Sequence, residues 1–293
     1  MSPQAKRQGV RHLIEMHGYS ERRACQLARI ARSTARYKPK RSVEETVLRE
    51  RVRQMASRHK AYGCPRITRL IRREGSVVNK KRIHRIWKAE GLQLPRRRPK
   101  KRRYRPRGEV IQRAEYQNHV WSYDFAEDRT ENGGRLRLLP VLDEFTRECL
   151  AIHVAGSIPS ADVVQLLDWL FLLHGSPEHL RSDNGPAFIA NAVERWLAGG
   201  QCKPIYITPG SPWENPYIES FIGKLRQECL DRYLFVNVRE AREIVENWRL
   251  EYNDFRPHSS LDYLTPVEFA AQQRPDAQQH AYAEQPSAPI LSL

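Results

Sequence analysis

The chain has 293 residues, of which 40% are hydrophobic and 9% aromatic, enough for a folded core with smaller modules. Its most apolar run, residues 163–173, is too short to span a bilayer, so no membrane role is indicated. Five scattered cysteines without a C-x-x-C pair exclude a redox dithiol and a cysteine zinc site, and they indicate reduced thiols in a cytoplasmic protein.

Charge is divided unevenly along the chain. Residues 1–113 hold 35 Lys and Arg against 8 Asp and Glu, whereas residues 114–293 hold 15 against 26. The net charge of +27 in the first part is an electrostatic footprint for a polyphosphate, most simply DNA or RNA. A solvated surface or a disordered basic arm is the alternative explanation.

Residues 1–56 are predicted to form a helix-turn-helix DNA-binding region. Ser20 can cap a helix over residues 21–29, and a second short helix is predicted to begin at Ser33. A plain helical hairpin would give the same pattern, because a lone helix-turn-helix pattern is weakly specific.

A second helix-turn-helix module is predicted over residues 57–94. Pro65 opens one helix, residues 74–76 break it, and Asn79 caps another over residues 80–90. Two basic modules in tandem favour DNA binding over two hairpins. The side chains left for phosphates or base edges are Lys80, Lys81, Arg82, Arg85 and Lys88.

Residues 95–117 form a proline-punctuated basic run without apolar periodicity, which predicts an extended linker. It can be a simple tether or a cationic strap along a DNA groove, and a nuclear localisation signal ranks below both. The predicted DNA-binding residues of the linker are Arg96, Arg97, Arg98, Lys100, Lys101, Arg102 and Arg103.

A larger folded core is predicted over residues 118–272. Three strands, 120–125, 136–142 and 149–154, precede a helix over 160–173, a strand over 179–182, a helix over 191–198 and a strand over 204–207. Helices follow over 216–232 and 238–252. This order predicts an α/β fold with a mixed sheet, preceded by small all-α modules. The tail, residues 273–293, is rich in Gln, Ala and Pro and is predicted to be disordered.

Three carboxylates in the core are candidate catalytic and metal-binding residues. Asp124 lies within an apolar strand pattern, Asp183 follows a short strand, and Glu219 begins a helix, with 35 residues between it and Asp183. Mg²⁺ or Mn²⁺ prefers such oxygen ligands, and two ions sharing one carboxylate can drive phosphoryl displacement. The alternative is that each acid caps a helix or turn. Asp124 argues against this alternative, because an acid inside an apolar strand has no helix or turn to cap.

Three further side chains are assigned to this site. Asn184 is predicted to lie beside the three acids without being a metal ligand, where it can hydrogen-bond locally or to substrate. Arg226 is seven residues after Glu219 on the same helix face, so it is the favoured contact for a DNA phosphate, while Lys224 lies further around the helix. An ordinary solvated helix charge is an equal alternative for Arg226.

Five blocks in order carry a family resemblance: residues 121–125 (WSYDF), 143–152 (DEFTRECLAI), 181–186 (RSDNGP), 219–226 (ESFIGKLR) and 252–269 (YNDFRPHSSLDYLTPVEF). With the 35-residue gap, they resemble the OrfB transposases of the insertion sequences of the IS-three group, which have a retroviral-integrase-like DDE core. The resemblance covers residues 20–272. It implies an RNase H-like core and a catalytic triad at Asp124, Asp183 and Glu219.

The resemblance implies a transposase that binds the terminal inverted repeats of its element and catalyses Mg²⁺-dependent strand cleavage and transfer. It also implies DNA as partner, a homo-oligomer on DNA, a possible partner protein from an upstream frame, and a nucleoid-associated location in bacteria. Rival interpretations are an RNase H-type nuclease or junction resolvase, and a DNA-binding regulator with an inactive core. A glycosidase using Asp183 and Glu219 leaves the basic third unexplained.

Overall fold

The computed structural model describes residues 3–37, 43–95, 113–182, 191–200, 202–207 and 214–273. The chain divides into two compact units, Met1–Gln54 and Met55–Leu293, and each is described by itself. All five cysteines are free and buried. Within the described residues, every helix is too short or too polar to cross a membrane.

The first unit is helical and has a small core. It contains α1 (Pro3–His17), α2 (Glu21–Leu27), α3 (Arg32–Arg36) and the beginning of α4 (Val43–Arg58). Its buried cluster consists of Val10, Ala24 and Cys25.

The two helices predicted in this unit are present with altered ends. Ser20 caps α2 by accepting a hydrogen bond from the Arg23 N–H at 3.4 Å, as predicted. The helix ends at Leu27, before Arg29 takes a positive φ of 48°. The start predicted at Ser33 is wrong by one residue, because Ala31 is the N-cap of α3. Neither α1 nor α4 was predicted.

The second unit begins with the end of α4, followed by α5 (Cys64–Arg73) and α6 (Lys80–Ala89). We call residues 55–95 the α5–α6 module. Its helices agree with the prediction: Pro65 lies in the first turn of α5, and Asn79 Oδ1 caps α6 by accepting from the Lys81 N–H at 2.8 Å. The buried apolar side chains are Ile67, Leu70, Ile71, Ile83, Ile86 and Trp87.

One mixed sheet forms the centre of the core. Its strands are β1 (Val120–Tyr123), β2 (Ala126–Arg129), β3 (Arg135–Asp143), β4 (Cys149–Ala155), β5 (His179–Ser182) and β6 (Lys203–Tyr206). Both β1 and β2 pair antiparallel with β3, and β4 pairs with the other edge of β3. β5 then pairs parallel to β1, and β6 parallel to β5. The α/β class with a mixed sheet is confirmed.

The single strand predicted over residues 120–125 is wrong in one respect, because the strand is interrupted at Asp124. β1 and β2 keep one register against β3: Tyr123 pairs with Val141 and Ala126 with Leu138. That register puts Asp124 across from Pro140, which has no N–H to donate to a strand ladder. The proline therefore accounts for the break in an otherwise continuous strand.

Helices cover both faces of the sheet. They are α7 (Ser160–His174) and α8 (Asn191–Ala198) on one face and α9 (Pro216–Glu228) and α10 (Val238–Leu250) on the other, and α11 (Pro266–Gln273) follows them in the chain. α9 and α10 end earlier than predicted, since a 3₁₀ turn (Leu230–Arg232) and a π-helical turn (Glu251–Phe255) follow them. α11 was not predicted.

Alternate residues of the central strands face two separate apolar clusters. Trp121 and Tyr123 belong to the cluster formed with α7 and α8, whereas Ala126 and Leu138 belong to the cluster formed with α9 and α10. Because side chains alternate along a strand, Ser122 and Asp124 point to the face that carries α9.

Candidate active site

Asp124 lies at the interruption between β1 and β2 and is half-buried. Its Oδ1 accepts a hydrogen bond from the Phe125 N–H at 2.7 Å. The prediction that Asp124 has no backbone group to cap is therefore wrong, because the interruption of the strand leaves the Phe125 N–H as a local donor. The bond fixes one carboxylate oxygen at the edge of the break, where the side chain is within reach of solvent.

Glu219 lies in the first turn of α9, and its side chain is exposed. Pro216 occupies the start of this helix, where its fixed φ favours helix initiation and its missing N–H costs nothing. The opposite face of α9 buries Ile218, Phe221 and Leu225. This amphipathic pattern directs Glu219 away from the core while the helix packs against β1 and β3.

Asp183 and Asn184 lie outside the described residues. The last described residue before them is Ser182, at the end of β5. β5 pairs parallel to β1 with Val120 opposite His179 and Ser122 opposite Arg181.

Arg181, near the end of β5, forms a buried ion pair with Glu144. Arg181 Nη1 is 3.3 Å from Glu144 Oε1, and the two side chains are 1% and 0% exposed. Arg181 Nη1 also donates to the Glu214 carbonyl at 3.1 Å, which connects β5 to the segment that leads into α9. Arg181 thus joins the two chain segments that carry Asp183 and Glu219.

Burial raises the pKa of Glu144 to about 7, despite the opposing charges of Arg181 and Arg147. The sequence analysis missed this pair. Both residues stand in motifs that carried the family resemblance, but nothing local in the sequence shows that they meet.

The two basic side chains assigned to α9 have partners within the protein. Arg226 is exposed, and its Nη2 donates to the Glu127 carbonyl at 3.1 Å. Lys224 Nζ donates to Ser220 O at 3.0 Å and to Ser220 Oγ at 2.7 Å. Burial, reinforced by the charge of Arg256, lowers the pKa of Lys224 to about 8. Contact of either side chain with DNA stays a prediction.

The basic residues of the α5–α6 module lie on α6. Lys80, Lys81, Arg85 and Lys88 are exposed, and Arg82 is half-buried. The buried face of α6 is turned toward α5, so the exposed cations form the outer surface of the helix. The linker residues Arg96, Arg97, Arg98, Lys100, Lys101, Arg102 and Arg103 lie outside the described residues.

A second group of potential metal ligands lies at the opposite end of β1 and β5. Glu178 is 4.0 Å from His119 Nε2 and 3.9 Å from His179 Nδ1. His119 Nδ1 accepts a hydrogen bond from the Glu115 N–H at 3.1 Å, which puts the proton of a neutral imidazole on Nε2. That tautomer disfavours metal binding through Nε2.

Comparison with known families assigns most of the chain. Two models described as "Integrase core domain" match residues 114–212 and 200–266, and one described as "HTH-like domain" matches residues 42–100. The match to the HTH-like model overlaps the α5–α6 module.

Two relatives cover most of the chain. An uncharacterized 39.2 kDa protein of insertion element IS476 from Xanthomonas euvesicatoria is 38% identical, over 94% of this chain and 79% of the relative. The putative transposase InsK of insertion element IS150 from Escherichia coli is 30% identical, over 72% of this chain and 78% of the relative.

A solved structure supports the fold. One chain of the simian T-cell lymphotropic virus intasome, solved in complex with the PP2A regulatory subunit B56 gamma, aligns with a TM-score of 0.50 at 16% identity. The alignment covers 83% of this chain and 80% of that chain. At this identity the likeness concerns the fold, and it agrees with an integrase-type, RNase H-like core.

Proposed function

This chain belongs to the insertion-element transposases with an integrase core domain, and we propose that it cuts and joins DNA strands in a divalent-metal-dependent reaction. The basic helical modules bind the terminal inverted repeats of the element. Asp124, Asp183 and Glu219 are the catalytic acids. The protein acts as a homo-oligomer on DNA, with or without a partner from an upstream frame.

The observation that carries the proposal is the register between β1 and β5. Ser122 pairs with Arg181, and continuing that register by two residues on each strand would put position 124 opposite position 183. Neighbouring strands are about 4.8 Å apart, a separation at which two carboxylates can share a cation. This continuation of the register is the support for placing Asp183 beside Asp124.

The direction of α9 supports the third acid. Arg226 contacts the Glu127 carbonyl on β2, and Phe235, further along the chain, bridges to Thr130. From Arg226 to Phe235 the chain therefore advances in the same direction as β2. Glu219 precedes Arg226 by two helical turns, about 10 Å, and Asp124 precedes Glu127 by about 10 Å of strand. Because these two separations are equal, they favour a position for Glu219 level with Asp124 along the strand direction.

The donor chemistry fits Mg²⁺ or Mn²⁺. Asp124 and Glu219 are hard oxygen donors accessible to solvent, and Asp124 lies on the sheet face that carries α9. Two bound ions would activate the attacking oxygen and stabilise the leaving oxygen of an in-line displacement. Asp124 suits the shared position because the backbone bond to Phe125 holds one of its oxygens.

Two successive displacements account for transposition. In the first, a water oxygen forms a new P–O bond, and the strand leaves with a 3′-hydroxyl. In the second, that hydroxyl attacks a phosphodiester of the target DNA and displaces another 3′-oxygen. One P–O bond forms and one breaks in each step, so the protein forms no covalent intermediate. Its acids position the reacting groups, and its basic side chains hold the phosphates.

Substitution of the acids tests the proposal. Asp124→Asn, Asp183→Asn and Glu219→Gln should each reduce nicking of a labelled terminal-repeat duplex by at least about 10³-fold, while gel-shift affinity stays within about threefold. Glu131→Gln removes an exposed acid from the turn between β2 and β3 and should leave nicking unchanged. Full nicking by an acid variant, or by the parent chain in EDTA, would contradict the assignment.

A further inference from the structure

The α5–α6 module carries the exposed cations of α6 and also contacts the catalytic core through a few side chains near the two ends of α5. Three groups of contacts make this interface: two involve His59 and Tyr62, just before α5, and the third involves Arg73 in its last turn. They have no role in the chemistry proposed above.

The first anchor is His59, which lies just before α5. Its Nδ1 is 3.1 Å from Glu251 Oε1, in the π-helical turn that follows α10. Its ring stacks on Tyr62 at 4.8 Å and on Phe255 of the same turn at 5.2 Å between centroids. The His59 side chain is only 5% exposed, so the module inserts this ring into the core surface.

The second anchor is Arg256, which is buried where the module, α9 and the π-helical turn meet. Its guanidinium group is 5.7 Å from the centre of the Tyr62 ring in the module and 5.6 Å from that of Tyr252 in the core. It also binds Glu228 through two hydrogen bonds of 2.8 and 2.6 Å. Glu228 is the last residue of α9, the helix on which Glu219 stands two to three turns earlier.

The third anchor is Arg73, in the last turn of α5. Its Nη2 donates to the Tyr263 carbonyl at 3.0 Å and to Glu268 Oε2 at 2.5 Å. α5 has ten residues and is therefore about 15 Å long. Contacts at both of its ends prevent the helix from pivoting on the core.

We infer that the α5–α6 module is fixed to the catalytic core, so that packing rather than the linker sets the spacing on DNA between the bases contacted by α6 and the phosphodiester that is cut. This inference rests on the proposed function. The anchor at Glu228 and the catalytic Glu219 share one rigid helix, which connects the position of α6 to that of the acids. His59, Arg73 and Arg256 are then positioning residues for cleavage-site selection.

Lengthening the linker tests the spacing directly. Gly-Ser insertions of six and twelve residues after Gly108 should leave the nick at the same nucleotide of a labelled terminal-repeat duplex, with rates within about twofold. A spacing set by the linker would move or spread the nick with insertion length, which would overturn the inference. If the parent chain itself does not nick, the proposed function fails instead.

Removing two anchors should make the spacing depend on the linker. The double variant His59→Ala/Arg73→Ala keeps Arg256, and its nicks should spread over several nucleotides when the linker is lengthened. Lys60→Ala removes one charge from an exposed position of the module and should behave like the parent. Urea unfolding checks that each variant remains folded. A single sharp nick from the lengthened double variant would contradict the role of these anchors.

A third measurement needs no activity. A specific protease site inserted after Gly108 allows the linker to be cut in the purified full-length chain. The two pieces should remain together on size-exclusion chromatography at physiological salt. Their separation would overturn the inference even if the parent chain nicks DNA at a single position.

Discussion

Two Arg–Glu pairs in different regions of this protein have nearly the same geometry and opposite surroundings. On the first unit, Arg36 binds Glu21 through hydrogen bonds of 2.7 and 2.6 Å, and the side chains are 62% and 31% exposed. In the second unit, Arg256 binds Glu228 at 2.8 and 2.6 Å, but these side chains are 2% and 7% exposed.

The comparison shows that hydrogen-bond length alone does not determine how much an ion pair contributes to stability. The exposed pair is screened by water and joins two short helices. The buried pair lies where the α5–α6 module meets the core, and removing one partner would leave the other as a buried charge without its hydrogen-bonded counter-ion. The same distinction separates the exposed Glu219 from the buried Glu144.

The largest effect on stability is expected at the buried pair. Arg256→Met should lower the free energy of unfolding by about 3–5 kcal/mol, because Glu228 is left buried without its partner. The double variant Arg256→Met/Glu228→Met should recover most of this loss. Urea unfolding followed by tryptophan fluorescence measures both. A loss for Arg256→Met no larger than that for Arg36→Ala would remove the proposed distinction.

The next largest effect concerns the other buried acid. Burial raises the pKa of Glu144 in the folded chain to about 7, from its ordinary value of 4.5. Between these values the folded state binds more protons than the unfolded state, so the contribution of Glu144 to stability falls as the pH rises.

Glu144→Gln cannot titrate and should therefore gain stability relative to the parent by about 1–3 kcal/mol between pH 5 and pH 8. Urea unfolding of both proteins at four pH values measures the difference. Parallel stability curves would show that Glu144 is ionised throughout this range.

A smaller effect is expected at the exposed pair. Arg36→Ala should leave the midpoint of urea unfolding unchanged within experimental error, since solvent replaces the lost contact. Addition of salt should not distinguish the variant from the parent. A clear shift in the midpoint would mean that this pair supports the small core of the first unit.

A comparably small effect on stability is expected at the candidate active site. Glu219→Gln changes an exposed side chain and should alter the free energy of unfolding by no more than about 0.5 kcal/mol, although it should abolish nicking. This contrast between function and stability separates an acid that binds metal from one that supports the fold. A loss of several kcal/mol would assign Glu219 a structural role.

Much of this architecture could be predicted from local sequence. Apolar residues at helical spacing predicted α5, α6 and α7, and Asn79 and Ser20 predicted two of the helix starts. Strand patterns predicted β3, β4 and β5. Local patterns were less informative where a distant residue intervened, as at Asp124, where Pro140 interrupts the strand.

By itself, the sequence determined the division into a basic helical part and an α/β core, and it singled out Asp124, Asp183 and Glu219. It did so because charge, periodicity and motif spacing are local properties of the chain. Only the tertiary structure decided which residues lie side by side: the register of β1 with β5, the Arg181–Glu144 pair and the anchors of the α5–α6 module. These contacts join segments far apart in the chain, and burial rather than residue type sets their strength.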